Sequence, residues 1–112
     1  MTDDERNELF SAGVRQALRM VIDPELGENV VDLGLIYAIA VEDGVVRIDM
    51  TTTTRGCPAT SYLKDAVQSA AWALPDIHYV EVKLTYEPPW TPDRMNDVAK
   101  EHLGFARTGM RA

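Results

Sequence analysis

The stretch "LIYAIAVEDGVVRIDM", residues 35–50, decides the fold, because it has the pattern of two β-strands joined by a tight turn. Its two halves alternate apolar and other residues with a period of two, which is typical of half-buried strands. Asp43-Gly44 between them is a residue pair that favours a two-residue hairpin turn. The sequence therefore predicts an antiparallel hairpin. Apolar residues predicted to share one face of the first strand are Leu35, Tyr37, Ile39 and Val41, and the pattern continues on the return strand with Val46, Ile48 and Met50.

A helical pattern precedes this hairpin. Thr2 and Glu5 have the spacing of a capping box, and the apolar residues that follow recur at helical intervals. This first helix is predicted to end near Ile22, because Pro24 disfavours helical geometry at Asp23. An ordered loop is expected from there to the hairpin.

Two more helices and a third strand follow the hairpin. Apolar positions between 63 and 74 recur at helical spacing and predict a second helix. Residues 80–86 alternate with a period of two and predict a third strand. Thr91 or Asp93 is predicted to cap a short last helix.

The resulting order, α-β-β-α-β-α, indicates an α+β fold. We expect a two-layer sandwich with a small mixed three-stranded sheet and with helices packed mainly on one face, because both kinds of element need a common apolar surface to bury. At 112 residues the chain fits a single domain spanning residues 1–112.

Charge and hydropathy exclude several classes of function. Eleven basic and eighteen acidic residues give a net charge of −7, which opposes attraction to nucleic acid and to anionic membranes. No apolar stretch approaches the ~18 residues that a membrane span requires. The first residues, MTDDERNE, lack the basic and then apolar pattern of a signal peptide. We expect a cytoplasmic protein with neither nucleic acid nor membrane as a partner.

The one cysteine of the chain, Cys57, lies in "TTTTRGCP", residues 51–58, between the second strand and the second helix. With Pro58 at the first helical position, Cys57 is predicted at the N-cap, where unpaired backbone N–H groups favour a thiolate. A lone cysteine forms neither an internal disulfide nor a paired metal or redox site. Three interpretations remain open: a buried inert thiol, a nucleophile, or one ligand of a shared metal site.

Acidic residues of the loop before the hairpin are the second group of candidates. They are Asp23, Glu25 and Asp32. Either they approach Cys57 as oxygen ligands or as a proton acceptor, or they only satisfy loop amides and solvent. The two histidines, His78 and His102, lie in no recognisable motif, and we interpret both as surface residues.

Trp90 lies among prolines in "EPPWTP", residues 87–92. This composition predicts an extended segment, since proline fixes φ and cannot continue a strand or helix. We interpret Trp90 as a rigid anchor that packs onto the sheet, with a docking surface as the alternative.

Three motifs occur in order along the chain: "DPELGENVVDLGLIY" (23–37), "DMTTTTRGCP" (49–58) and "YEPPWTPDRM" (86–95). With them the sequence resembles the SufT/PaaD-like family of iron-sulfur cluster assembly domains over residues 10–104. The resemblance implies an assembly or maturation factor, rather than a turnover enzyme, that helps to build, carry or insert clusters into client proteins.

The resemblance also implies a site. The family's motif cysteine falls on Cys57, its acidic residues on Asp23, Glu25 and Asp32, and its threonine-rich lead-in on Thr51 to Thr54. Cys57 is therefore the expected metal ligand. Asp23, Glu25, Asp32 and Thr54 are the expected supporting residues. Arg55 departs from the family pattern, in which a small residue or proline is common. PaaD-like members carry a cysteine-rich carboxyl-terminal module that "GFARTGMRA" does not resemble, which favours the SufT-like side.

One thiolate is too few for a cluster that takes four ligands. A transient cluster therefore requires a second subunit in a homodimer, a client cysteine or a small thiol to complete the ligand set. The expected partners are the assembly machinery and apo client proteins. Two alternatives stay open: an adaptor that binds no cluster and recruits clients to the machinery, and a thiol nucleophile or persulfide carrier.

Overall fold

A three-stranded sheet organises the protein in the computed structural model, which describes residues 2–104. The elements follow the predicted order, and the α+β fold with a small mixed sheet is confirmed. They are α1 (Asp3–Leu18), β1 (Ile36–Glu42), β2 (Val45–Met50), α2 (Thr60–Trp72), β3 (Tyr79–Leu84), a 3-10 turn (Pro92–Arg94) and α3 (Asp97–Leu103).

The sheet has the order β1-β2-β3. The predicted hairpin joins β1 and β2, and both of its turn residues, Asp43 and Gly44, have positive φ values of 50° and 78°. A two-residue turn with this geometry matches the right-handed twist of the strands that it connects. β3 then pairs parallel to β2, with Val46 opposite Val80 and Ile48 opposite Val82. The sheet is mixed because α2 carries the chain back to the end of the sheet where β2 begins, so that β3 runs in the same direction as β2.

The two faces of the sheet differ in polarity. On the inner face, Val46, Ile48 and Met50 are completely buried beneath α1 and α2. On the outer face, Arg47 lies opposite Glu81, and Asp49 lies opposite Lys83. Opposite charges in facing positions stabilise an exposed sheet surface. Buried residues that α1 and α2 contribute to the common core are Val14, Leu18, Leu63, Val67 and Ala71.

The start of α1 was predicted correctly and its end was not. Glu5 N donates to Thr2 Oγ1 at 3.1 Å in the predicted capping box. The helix ends at Leu18, four residues before Ile22, because the chain turns there and Val21 N donates to Leu18 O at 3.0 Å. Val21 kept the apolar period in the sequence because it enters the core from the turn.

The start of α2 is a correction that bears on the cysteine. The helix begins at Thr60, with Ala59 as its N-cap, so Pro58 is not its first residue and Cys57 is not its N-cap. Thr60 Oγ1 and Thr60 N both donate to Cys57 O, at 2.7 and 3.1 Å. These bonds close a separate turn between Cys57 and the helix.

The last helix is also capped by a different residue. The N-cap of α3 is Asn96, whose Oδ1 accepts from Ala99 N at 3.0 Å. Of the two predicted caps, Thr91 is instead the N-cap of the 3-10 turn that begins at Pro92, and Asp93 lies within that turn. Within residues 2–104, no helix has both the length and the apolar composition that crossing a membrane would need.

Candidate functional site

Two loops meet beside the carboxyl end of β2 and bring a thiol to a carboxylate. Cys57 Sγ lies 3.6 Å from Glu25 Oε1, across a separation of 32 residues in the chain. The S–H group donates and the carboxylate accepts. Glu25 is exposed, whereas Cys57 is only 7% exposed. The pair therefore has one end that solvent reaches and one that the protein covers.

Asp23 shapes the loop that carries Glu25. Its Oδ1 accepts from Glu25 N at 2.7 Å and from Leu26 N at 3.1 Å, and its side chain is buried. This is the turn in which an aspartate satisfies amides two and three residues ahead. Asp23 thus fixes the backbone of Glu25, which in turn contacts the thiol.

Asp32 joins three parts of the chain. Its carboxylate accepts from Arg19 at 2.6 Å, from Asn29 at 2.9 Å and from Asn96 at 2.8 Å. Burial by itself raises the pKa of Asp32, but hydrogen bonds from Asn29 and Asn96 and the adjacent Arg19 guanidinium outweigh it, so this pKa lies below its ordinary value. The contacts tie the end of α1 and the loop to the N-cap of α3.

The threonine-rich segment is anchored at its start and exposed near its end. Thr51 and Thr52 are buried, and Thr54 is exposed. Thr52 Oγ1 donates to Thr54 O at 2.7 Å and lies 3.3 Å from the Tyr86 hydroxyl. Thr54 therefore contributes a backbone carbonyl to the loop in this structure, while its side chain faces solvent.

Tyr86 is the neighbour of this segment that the sequence did not reveal. Its ring lies under the Arg55 guanidinium, with 4.7 Å from Cζ to the ring centroid. The alternation of residues 80–86 predicts Tyr86 in the third strand, whereas β3 ends at Leu84. The signal that could have distinguished it is its place at the start of the proline-rich motif.

The hydrogen-bond partner of the thiol is Glu25, and neither histidine pairs with the thiol in the described part of the chain. His78 lies beside Gly44 at the β1–β2 turn, at the opposite end of β2 from Cys57. His102 Nδ1 lies 2.7 Å from Glu28 Oε1. Both imidazoles are on exposed residues, as predicted.

One copy of the protein brings few metal-binding side chains together at this site. Among residues 2–104, no group of three or more His, Cys, Asp or Glu side chains is placed to hold a metal ion. Cys57 and Glu25 together offer one sulfur and one carboxylate. Such a pair suits an iron ion that takes its other ligands from elsewhere, because iron accepts both donor types.

We expect Arg55 to restrain the loop that covers Cys57. Arg55→Ala removes the contact with Tyr86, and alkylation of Cys57 by neutral iodoacetamide should become about two- to fivefold faster, since an exposed cation–π contact contributes about 0.5–1 kcal/mol. Mass spectrometry at timed intervals measures the rate.

The matched control for this experiment is Arg94→Ala. The Arg94 guanidinium lies 4.8 Å from the Tyr37 ring centroid, a similar contact outside the TTTTRGCP segment. Equal alkylation rates in the two variants would show that Arg55 does not hold the loop.

The fold and the thiol–carboxylate pair together define a small α+β protein with a single-cysteine loop. A family model described as "Iron-sulfur cluster assembly protein" matches residues 11–84. The chain belongs to this iron-sulfur cluster assembly family, which confirms the resemblance found in its motifs.

Two curated relatives are similar over most of the chain. YitW of Bacillus subtilis, a Fe-S protein maturation auxiliary factor, is 42% identical over 99 residues, which cover 88% of this chain and 97% of the relative. SufT of Staphylococcus aureus, with the same description, is 46% identical over 88 residues, covering 78% and 100%. Among solved structures, a DUF59 domain of unknown function from Bacillus anthracis is similar with a TM-score of 0.86 and 35% identity, covering 90% and 97%.

Proposed function

We propose that this protein is a maturation factor that carries iron-sulfur clusters or inserts them into client proteins, with Cys57 as its iron ligand. The two relatives described above are named as maturation auxiliary factors and align with nearly their whole length. The observation that carries the assignment of the ligand is the contact of Cys57 Sγ with Glu25 Oε1 at 3.6 Å.

Glu25 has two tasks in this proposal. A thiol must lose its proton before it binds iron, and the contacting carboxylate accepts that proton when the S–Fe bond forms. The exposed carboxylate can also bind an arriving iron ion before the covered sulfur does. Asp23 acts through Glu25, because it fixes that residue's backbone.

The remaining predicted site residues serve the geometry of the loops. Asp32 holds the loop that carries Glu25 against α1 and α3, and Thr54 shapes the segment before Cys57 through its carbonyl. Neither is needed as a ligand.

The other ligands of the cluster come from outside the copy. A four-ligand cluster bound by Cys57 takes them from a second copy in a homodimer, from a client cysteine or from a small thiol. The cluster is cargo and leaves by ligand exchange. In this proposal the protein works as a single cytoplasmic domain between the assembly machinery and apo clients.

Anaerobic reconstitution tests the proposal. Wild type and Cys57→Ala are incubated with iron, sulfide and a small thiol, separated from unbound ions, and assayed for iron and acid-labile sulfide. We expect bound cluster in the wild type and at least a tenfold loss in Cys57→Ala, a difference of about 1.4 kcal/mol or more in binding.

Thr54→Ala is the matched control, because it changes an exposed side chain in the same loop. It should keep the wild-type iron and sulfide content. Light scattering of the loaded protein reports whether the cluster joins two copies. Equal iron and sulfide in wild type and Cys57→Ala would remove Cys57 from the mechanism.

The low exposure of Cys57, 7%, favours one second function, that of an adaptor that binds no cluster. In that case Cys57→Ala activates an apo client as well as the wild type does. A client activation assay with both proteins therefore separates the carrier from the adaptor.

A further inference from the structure

An apolar groove lies between α1 and the segment that directly follows α2. It has a volume of about 300 Å³ and is lined by Arg6, Leu9, Phe10, Gly13, Leu74 and Pro75. Leu9 is 61% exposed, although it is a large apolar residue. The volume is at the lower end of the range for ligand sites, which is small for a cofactor and suits one or two apolar side chains.

Gly13 lines this groove, although no contact within the fold requires a glycine at this position. Glycine in the interior of a helix costs about 1 kcal/mol relative to alanine. A Cβ atom at Gly13 would meet nothing within 4 Å, so no neighbour in the fold excludes a side chain there. The missing side chain deepens the groove and lets an incoming group approach the backbone of α1.

Three carboxylates neighbour lining residues of the groove along α1 and along the chain. Asp3 lies on the same helical stripe as Arg6 and Phe10, Glu5 lies one turn before Leu9, and Asp76 follows Pro75 directly. All three acidic residues are exposed. Three carboxylates against the one guanidinium of Arg6 make the surroundings negative, and the chain as a whole has a net charge of −7.

We propose that this groove binds a short basic segment of a partner protein, with one or two apolar side chains in the groove and Lys or Arg residues beside Asp3, Glu5 and Asp76. A second copy of the same chain is a poor occupant, because two acidic rims repel each other. This binding surface needs no contribution from Cys57, so it is independent of the proposed cluster chemistry.

A model peptide provides the probe. It has six residues, with two lysines at each end and a Leu-Phe pair between them. One control peptide has alanines in place of that pair, and another has glutamates in place of the lysines. Titration at low salt, followed by NMR, should shift the amides of Leu9, Phe10, Gly13 and Leu74 only with the first peptide.

Variants locate the binding in the groove. Gly13→Leu fills it and should weaken binding at least about tenfold. Gly13→Ala is the control for folding, because its Cβ atom fits without a clash. Its thermal unfolding temperature should equal that of the wild type or exceed it. Met20→Ala removes a large apolar side chain that lies outside the groove and is 82% exposed, the highest value for such a side chain among residues 2–104, and it should bind like the wild type.

Charge variants test the contribution of the carboxylates beside the groove to peptide binding. Asp3→Asn combined with Asp76→Asn should weaken binding about threefold at low salt and reduce its salt dependence. The double change keeps Glu5, which belongs to the capping box.

Three results would overturn the proposal. One is the absence of binding by the lysine-flanked peptide; another is equal binding of either control peptide. The third is self-association in sedimentation experiments that Gly13→Leu abolishes, because it would assign the groove to a second copy.

Discussion

Asp32→Ala is expected to lower the free energy of unfolding by about 2 kcal/mol at neutral pH, because three side-chain hydrogen bonds converge on this one buried carboxylate. The Arg19 guanidinium and the side-chain amides of Asn29 and Asn96 all donate to this one carboxylate. Asn96 N also donates to Asp32 O at 2.9 Å, a backbone contact that survives the substitution. Urea unfolding at pH 7 measures the loss.

Lowering the pH should reduce the stability of the fold through the same carboxylate. Because the pKa of Asp32 in the folded protein lies below its ordinary value of 3.8, this group stabilises the fold above that value. Its contribution is lost as the pH falls through the lower pKa of the folded state. Asp32→Asn, which cannot ionise, should therefore lose stability at pH 7 and show a flatter decline in acid.

The comparison variant for Asp32 is Asp65→Asn, on the exposed face of α2. It should change the free energy of unfolding by about 0.5 kcal/mol or less at either pH. A loss below about 1 kcal/mol in Asp32→Ala, or an unchanged acid slope in Asp32→Asn, would contradict the role given to this network.

Trp90→Ala is expected to cost about 3 kcal/mol of unfolding free energy, because the ring packs against the core and its indole N–H donates to Leu33 O at 2.7 Å. The substitution removes apolar contacts and leaves a carbonyl without its partner. Thermal and urea unfolding measure the effect, and Trp90→Phe shows how much of it belongs to the hydrogen bond.

The other tryptophan provides a matched control. Trp72 is 44% exposed and meets Tyr79 edge to face, with 6.1 Å between ring centroids. Trp72→Ala should cost about 1 kcal/mol, the range of an aromatic pair. Equal losses in the two variants would refute the anchoring role of Trp90. Because Trp90 packs against the core, impaired client activation in Trp90→Ala would first be attributed to loss of folding. It would not by itself indicate a lost docking surface.

Local signals in the sequence were sufficient for the elements of the fold. Asp43-Gly44 and the alternation around it identify a hairpin, since turn chemistry and period are encoded within a few residues. The capping box of Thr2 and Glu5 is equally local. Helix boundaries were harder to predict. Val21 keeps a helical period although it enters the core from a turn, and Pro58 was a plausible first helical residue until the turn before Thr60 showed otherwise.

Contacts of the site depend on long-range packing, which explains what the sequence left open. The cysteine and the acidic loop could be singled out, but the pairing of Cys57 with Glu25 joins residues 32 positions apart. The sequence groups Asp32 with the site through its place in a motif. Its partner Asn96 lies 64 positions away, and only the folded chain shows that this carboxylate holds helices together.

The low exposure of Cys57 affects how readily its thiol is oxidised. Cysteine oxidation to sulfenic acid, and from there to mixed disulfides, requires a thiolate that an oxidant can reach. With 7% of the residue exposed, Cys57 is shielded from peroxide for as long as its loop stays closed. The one thiol of the chain is thus kept in the reduced state in air.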